Sequence, residues 1–431
     1  MRRGREKADA ATKAASKVRT RSRISGTAER RDPPAMTTPV AGVARPERPG
    51  RAKERLGVVD AVRAMALFGV LAMNWHSMSG LEYMSAEQLA AVQDTLDRIV
   101  EVGLQVFVDK KSLSAFSFLF GLSFWLILDR SEDRAFFMPM FIRRLSMLAI
   151  FGGLNFIFLY WGDILITYAI FGLLLPLAAR LPQRVILAVS GFLLLGFPIA
   201  LAALGFTQRP DVQTPSDLQA LQAFGSSSYY AAAEYGARRY LGFAESHSVT
   251  ADWDFTNIFG LFLLGLWAGR ERIPNDIGAH RAWLMKVTAL AIPIGLALSA
   301  ANVTLPRETP LTTLTLAGRT ILAVGYLAAA ALFFDSRAGR RIGALIAPAG
   351  RTALTNYLAY GLIGQILFYG WAFDLIGKLG AADVLFAAVV TYALLVAASH
   401  VWLRFFRYGP VEWIWRSVTR RSLQPLRKAQ V

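Results

Sequence analysis

Apolar residues fill long stretches of this chain, and polar residues interrupt them at intervals close to the thickness of a bilayer. A helix needs ~20 mainly apolar residues to cross the hydrocarbon core. Ten stretches approach that length: Leu56–Gly80, Ser112–Asp129, Leu145–Trp161, Ile164–Ala179, Val185–Phe206, Phe255–Ala268, Trp283–Ala301, Leu311–Phe334, Ala353–Trp371 and Ala382–Leu403. Gly162 and Asp163 read as a tight reversal between the third and fourth. The pattern predicts an all-α polytopic membrane helix bundle of about ten transmembrane helices. Helices one to five occupy 56–206, an extracytoplasmic loop 207–255, helices six to ten 256–403, and a tail 404–431. No internal repeat is visible.

Composition supports the same class. Of 431 residues, 54% are hydrophobic and 18% charged, against about 25% charged in soluble domains. The net charge of +17 would favour nucleic acid in a soluble protein. Here the basic residues fall in a tail and between apolar spans, so the expected partner is the lipid bilayer and not nucleic acid. With the N-terminus inside, the loops at 130–144, 180–184, 270–281 and 337–351 hold most of the loop arginines. That distribution predicts a plasma (inner) membrane protein with both termini cytoplasmic. Residues 1–50 are basic and too poor in apolar groups to build a core. They read either as a disordered cytoplasmic tail beside anionic lipid or as sequence upstream of a start at Met36. They lack the apolar run of a signal peptide. The chain has no cysteine, which excludes disulfides and thiolate catalysis.

The chemistry is concentrated on a polar stripe of the first span. A helix turns ~100° per residue, so the eleven steps from Arg63 to Asn74 bring them within ~20°, roughly 16 Å apart along the axis. Asp60 lies within ~60° of both. Ionisable groups at membrane depth are costly and face a bundle interior or a cavity. Arg144 and Asn155 repeat the eleven-residue spacing on the third span, where Gly152 and Gly153 permit close helix approach. Asp163 either caps the fourth helix or lines the mouth of a cavity. On the ninth span Arg351 and Thr355 share a face, Gln365 lies within ~40° of Arg351, and Asn356 and Tyr357 are adjacent. These groups serve either interhelical hydrogen bonds or a site. His76 points ~200° away from Asn74, whereas Ser77 is ~60° from it. The other histidines lack partners at metal-binding spacing, and no metal site is expected. Trp413 and Trp415 beside Arg416 read as an interfacial anchor. Together these positions predict one cavity bounded by spans one, three and nine.

The residues also carry a resemblance. Asp60-Ala-Val-Arg63-Ala with Asn74, the run FSFLFGLSFWL at 116–126, RRLSMLAIFGGLNFIFLYWGDILITYAIFGLLL at 143–175, and GRTALTNY at 350–357 through FRYGPVEWIWR at 406–416 resemble YeiB-like proteins. The last of these segments resembles their domain of unknown function 418. The likeness runs from about residue 55 to the end, weakest over 207–255. Ala64 replaces a usual Gly, and Asn155 stands where relatives often carry His. The Asp–Arg–Asn helix is similar to the first helix of a wider group of transmembrane acyltransferases. Those proteins move an acyl group from a cytoplasmic coenzyme A thioester to a hydroxyl or amine across the membrane. The resemblance implies acyl-CoA as co-substrate, no permanently bound cofactor, and a small-molecule or glycan acceptor. Arg63, Arg144 and Arg351, with Asp60 orienting Arg63, would hold the phosphates. Asn74, Asp163 and Asn155 would act at the acceptor, lined by Ser77, Thr355, Asn356 and Gln365. An asparagine cannot take a proton at neutral pH, so Asn74 would orient the acceptor or stabilise an oxyanion. The alternatives are a transporter or permease using the same stripe, and a structural or sensory protein in which Asp60–Arg63 is a satisfied pair.

Overall fold

Long apolar runs with few internal helix breakers satisfy their backbone polar groups as helix, the economical solution in lipid. The computed structural model describes residues 49–131, 134–207, 215–241, 249–307 and 309–428, all within one compact unit, Arg48–Val431. Its α-helices are α1 (Pro49–Met78), α2 (Ala86–Val92), α3 (Thr95–Phe107), α4 (Lys111–Asp129), α5 (Arg134–Phe158), α6 (Leu165–Gly172), α7 (Leu175–Ala178), α8 (Gln183–Gly191), α9 (Phe197–Ala203), α10 (Pro215–Phe224), α11 (Tyr229–Leu241), α12 (Val249–Arg270), α13 (Arg281–Thr304), α14 (Pro310–Thr315), α15 (Ala317–Asp335), α16 (Arg337–Arg351), α17 (Ala353–Phe368), α18 (Ala381–Phe405) and α19 (Pro410–Arg420). No β-strand occurs among the described residues, so the all-α membrane bundle stands.

The expected count of about ten spans is not reproduced. Among the described residues, seven stretches are long and apolar enough to cross a bilayer: Gly57–Met78, Thr95–Asp129, Phe136–Phe158, Gln183–Ala203, Arg281–Thr304, Pro310–Asp335 and Ala381–Phe405. α17 is apolar but has only 16 residues. The expected fourth span divides into α6 and α7. The second begins at Thr95, so much of the loop expected over 81–111 belongs to it. The loop expected at 337–351 is the helix α16, with Arg337, Arg340 and Arg341 exposed. The tail expected over 1–50 lies almost wholly outside the described residues. So do 208–214 and 242–248 of the long loop, whose remainder forms α10, α11 and the start of α12.

α1 is the central post. Its Leu67, Leu71, Trp75 and Met78 pack with Tyr360 and Phe368 of α17 and Ala388 of α18. A second core joins Phe124 of α4, Phe141 of α5 and Phe262 of α12. The N-terminal half of α1 meets the end of α16, where a side chain at Gly350 would put its Cβ 1.9 Å from the Asp60 carbonyl oxygen. Glycine alone permits that approach. These contacts define two ends of the bundle, one at Arg63 and the other at Asn74 and Tyr360.

Candidate functional site

At the arginine end, α1 is unbroken through Asp60, Arg63 and Asn74, so the eleven-step spacing applies. Arg63 Nη1 donates to Asp60 Oδ1 at 2.8 Å, and its guanidinium lies 3.5 Å from both the Gly350 carbonyl oxygen and Ser123 Oγ. The Arg144 guanidinium of α5 stacks 3.9 Å above the Trp415 ring, whose Nε1 donates to the Arg144 carbonyl at 2.8 Å. Trp415 is thus turned inward onto an arginine, and Trp413 Nε1 donates to the Gln424 carbonyl. Arg351 donates to the Arg407 carbonyl at 3.4 Å. Arg63 and Arg416 act on Arg144 through space, and Arg351 and Arg416 act on Asp60. Three guanidiniums, Arg63, Arg351 and Arg416, therefore lie within electrostatic reach of Asp60, and Arg144 is linked to it through Arg63 and Arg416.

The ninth span departs from expectation. Arg351 closes α16, Thr352 turns with φ −109° and ψ 31°, and α17 starts at Ala353. Arg351 and Thr355 do not share a helix face, and the angle computed from Arg351 to Gln365 has no meaning across that break. Pro348, which removes a backbone donor just before the turn, is its local signal. Thr355 instead belongs to a cap: Glu412 of α19 accepts from Leu354 N at 2.8 Å, Thr355 N at 3.1 Å and Thr355 Oγ1 at 2.5 Å. A carboxylate at a helix start satisfies orphan amides and meets the positive end of the helix dipole. Burial pushes the Glu412 carboxyl up, opposed by these same bonds. Asn356 Nδ2 reaches Ser399 Oγ at 3.0 Å and Thr352 Oγ1 at 3.2 Å, a joint between α17 and α18. Gln365 is buried, and its Oε1 has no hydrogen-bond partner.

At the tyrosine end, α1, α5 and α17 do converge. Asn74 Nδ2 donates to Tyr360 Oη at 3.0 Å, and Trp75 Nε1 donates to the Tyr360 carbonyl at 3.0 Å. The Tyr360 and Tyr357 rings meet edge to face at 5.4 Å. Tyr357 Oη donates to Asp163 Oδ1 at 3.0 Å, Asn155 Nδ2 donates to the same oxygen at 2.8 Å, and Leu165 N donates to Asp163 Oδ2 at 2.7 Å. Asp163 thus caps the start of α6 and also joins α5 to α17. Gly152 makes room, since a Cβ there would lie 2.7 Å from Asp163 Oδ2. Burial pushes the Asp163 carboxyl up to about 7, while the bonds from Asn155, Leu165 and Tyr357 pull the other way. Desolvation wins because it removes the water that stabilises the charge. Asn155 is buried, and its Oδ1 has no partner. Ser77 Oγ pairs with Tyr83 Oη at 2.7 Å, beneath Trp161. His76 lies on the other side of α1, 2.6 Å from Glu101 Oε2.

The expected single cavity thus resolves into two clusters towards opposite ends of the Gly57–Met78 span of α1, with Thr355 and Asn356 placed in helix joints. Sequence reasoning passed over Tyr360, whose i,i+3 spacing from Tyr357 was the available signal, and over Glu412, an acidic residue in an otherwise basic amphipathic segment.

Comparison with known proteins places the chain. Residues 268–422 match the model described as "Protein of unknown function (DUF418)". The chain is 30% identical over 398 residues to the uncharacterised protein YxaH of Bacillus subtilis (strain 168), covering 88% of this chain and 98% of that protein. It is 26% identical to an uncharacterised 39.9 kDa protein in the amylase 3' region of Bacillus acidopullulyticus, over 86% of this chain and 96% of that protein. It is likewise 26% identical to the uncharacterised protein YeiB of Escherichia coli (strain K12), over 86% and 98% respectively. Full-length similarity on these terms, with the matching carboxy-terminal segment, makes the chain a member of the DUF418/YeiB family of membrane proteins.

Proposed function

We propose that this protein is a transmembrane acyltransferase of the plasma (inner) membrane, with the arginine end and both termini cytoplasmic. The observation that carries this reading is the separation of two unlike clusters along α1. Arg63, Arg351 and Arg416 lie around Asp60 at one end, Arg144 lies within reach of Arg63 and Arg416, and Glu412 caps α17. Guanidinium groups suit phosphates, and a coenzyme A thioester carries its phosphates far from its acyl carbon. At the other end Asp163, the only ionisable carboxyl bonded to Asn155 and Tyr357, supplies the proton acceptor that Asn74 cannot be. A carboxyl held near neutral pH is suited to general base work.

In this scheme the acceptor hydroxyl or amine binds beside Asn155 and Asp163, with the hydrogen it will lose directed at an Asp163 carboxylate oxygen. The nucleophile attacks the thioester carbonyl carbon as its proton passes to Asp163, and when the tetrahedral intermediate collapses the carbon–sulfur bond breaks and Asp163 returns that proton to the departing sulfur. Asn74 and Tyr360 supply hydrogen bonds to the developing oxyanion. Acetyl-CoA should bind the purified protein saturably in detergent, and Arg63→Ala should abolish it. Absence of saturable binding at millimolar ligand overturns the proposal. Charged residues around Lys110 favour a second reading, a permease. Substrate uptake that falls on deletion, with no acylated product formed, would select it.

A further inference from the structure

The first two spans conceal a break that neither cluster uses. α3 ends at Phe107 and α4 starts at Lys111, and Lys110 between them has φ +60°. Ser112 lies against Gly69, because a Cβ on that glycine would fall 1.9 Å from Ser112 Oγ. Gly69 is twelve residues into the Gly57–Met78 span, so the break sits ~18 Å along the helix from the start of that span, at membrane depth.

Charges from three elements collect there. Lys110 Nζ lies 3.4 Å from Asp254 Oδ2 of α12, and Arg319 Nη2 of α15 lies 3.7 Å from Asp109 Oδ2. Lys111 is buried and donates to the Gln105 carbonyl at 2.8 Å. Both ion pairs are longer than the roughly 2.7–2.9 Å of a closed charge-assisted hydrogen bond. Lysine carries three donors and arginine five, against one carboxylate oxygen apiece. A cavity of about 20 Å³ opens among Lys110, Ser114, Ser117, Asp254, Asn257 and Arg319. With Asp109 and Lys111 counted beside the lining, three cations (Lys110, Lys111, Arg319) face two carboxylates (Asp109, Asp254), so its field favours an anion. The volume admits one water-sized group. Lys110 and Asp254, the more exposed of these charged side chains at 42% and 34%, stand at the mouth.

We propose that this cavity is an anion site that seats one oxygen of a carboxylate or phosphate group between Lys110 and Arg319, with the remainder of the ligand outside. Asp254 opposes the anion and holds Lys110 in place when none is bound. The site differs from the Arg63 cluster in position and in elements, so it stands whether or not the protein is an acyltransferase.

The test is thermal unfolding of the full chain in detergent against sodium phosphate or acetate, with sodium chloride at matched ionic strength as baseline. Wild type should show a saturable rise above chloride. Lys110→Gln and Arg319→Gln should each weaken apparent affinity about tenfold, the size expected for losing one charged hydrogen bond. Asp254→Asn should tighten it. Opposite signs separate binding from mere loss of fold, and Lys110→Gln, at the exposed partner, keeps the test open if Arg319→Gln does not fold. Nanodiscs of phosphatidylcholine with and without phosphatidylglycerol identify the source. If the anion is a lipid headgroup, phosphatidylglycerol raises stability and removes the phosphate response; if it is a free solute, the response persists in both. No saturable response to phosphate, acetate or phosphatidylglycerol, or shifts of one sign in all the variants, overturns the site.

Discussion

The two ends of the membrane span of α1, Gly57–Met78, solve the problem of polarity in a membrane protein in different ways. At the arginine end the polar groups are permanent charges. Arg63 keeps 26% of its side chain exposed and Asp60 18%, and the neighbouring cations rest on a tryptophan ring and on backbone carbonyls rather than on matched carboxylates. At the tyrosine end the groups are hydroxyls, amides and one carboxyl, and nearly every donor has an acceptor. Charges stay where water or headgroups can reach them, because burying them unpaired costs far more than burying a bonded hydroxyl. The first end therefore keeps partly exposed charge, and the second is a closely bonded, nearly neutral joint. Its loose points are the unpartnered Asn155 Oδ1 and the titratable Asp163.

The contrast can be broken most severely at Gly350. Replacing it with leucine forces α16 off α1 at Asp60 and should cost ~3 kcal/mol, at the upper end of overpacking penalties; size-exclusion in detergent should show loss of the monodisperse species. Glu412→Ala comes next. It strips two backbone amides and a hydroxyl of their acceptor and should cost about 2 kcal/mol, read as a fall in Tm.

The pH dependence sharpens the other end. The Asp163 carboxyl is raised from 3.8 to about 7, so the folded state binds its proton more tightly than the unfolded state does. Its stabilising contribution is complete below about pH 4 and is lost as pH rises through about 7. Asp163→Asn should flatten the dependence of Tm on pH between 4 and 8. Tyr357→Phe, which removes a donor to the carboxylate, should cost about 1 kcal/mol and move the midpoint of that dependence upward. A midpoint moving downward would contradict the bond assigned to Tyr357. The smallest effect is expected for Trp415→Leu. The stacked Arg144 loses about 1 kcal/mol of cation–π attraction, and tryptophan fluorescence should no longer respond to salt at this end.

Much of this was legible residue by residue. The eleven-residue spacings of Arg63 with Asn74 and of Arg144 with Asn155 hold because α1 and α5 run without a break through both members. The same arithmetic failed from Arg351 to Gln365, where the helix ends at Thr352. An angle counted along a chain is valid only while the helix continues, and Pro348 was the sole local warning. The pairing of Lys110 with Asp254, and of Arg319 with Asp109, had no local signature. Residues more than 140 apart in sequence meet there; Asp109, Lys110 and Asp254 each resemble an ordinary loop charge, whereas Arg319 stands inside the expected span Leu311–Phe334.

The chain's apolar runs, long enough to cross lipid, determined by themselves that it is a helical membrane protein, because backbone in hydrocarbon must bond to itself. Local spacing determined which side chains share a face. Which faces meet was decided only by tertiary packing. Glycines at 152 and 350 let particular helices touch, and those contacts turn a predicted single cavity into an arginine cluster, a tyrosine joint and a charged break between α3 and α4. Close packing depends on the shapes of surfaces far apart in sequence, and no local pattern encodes it.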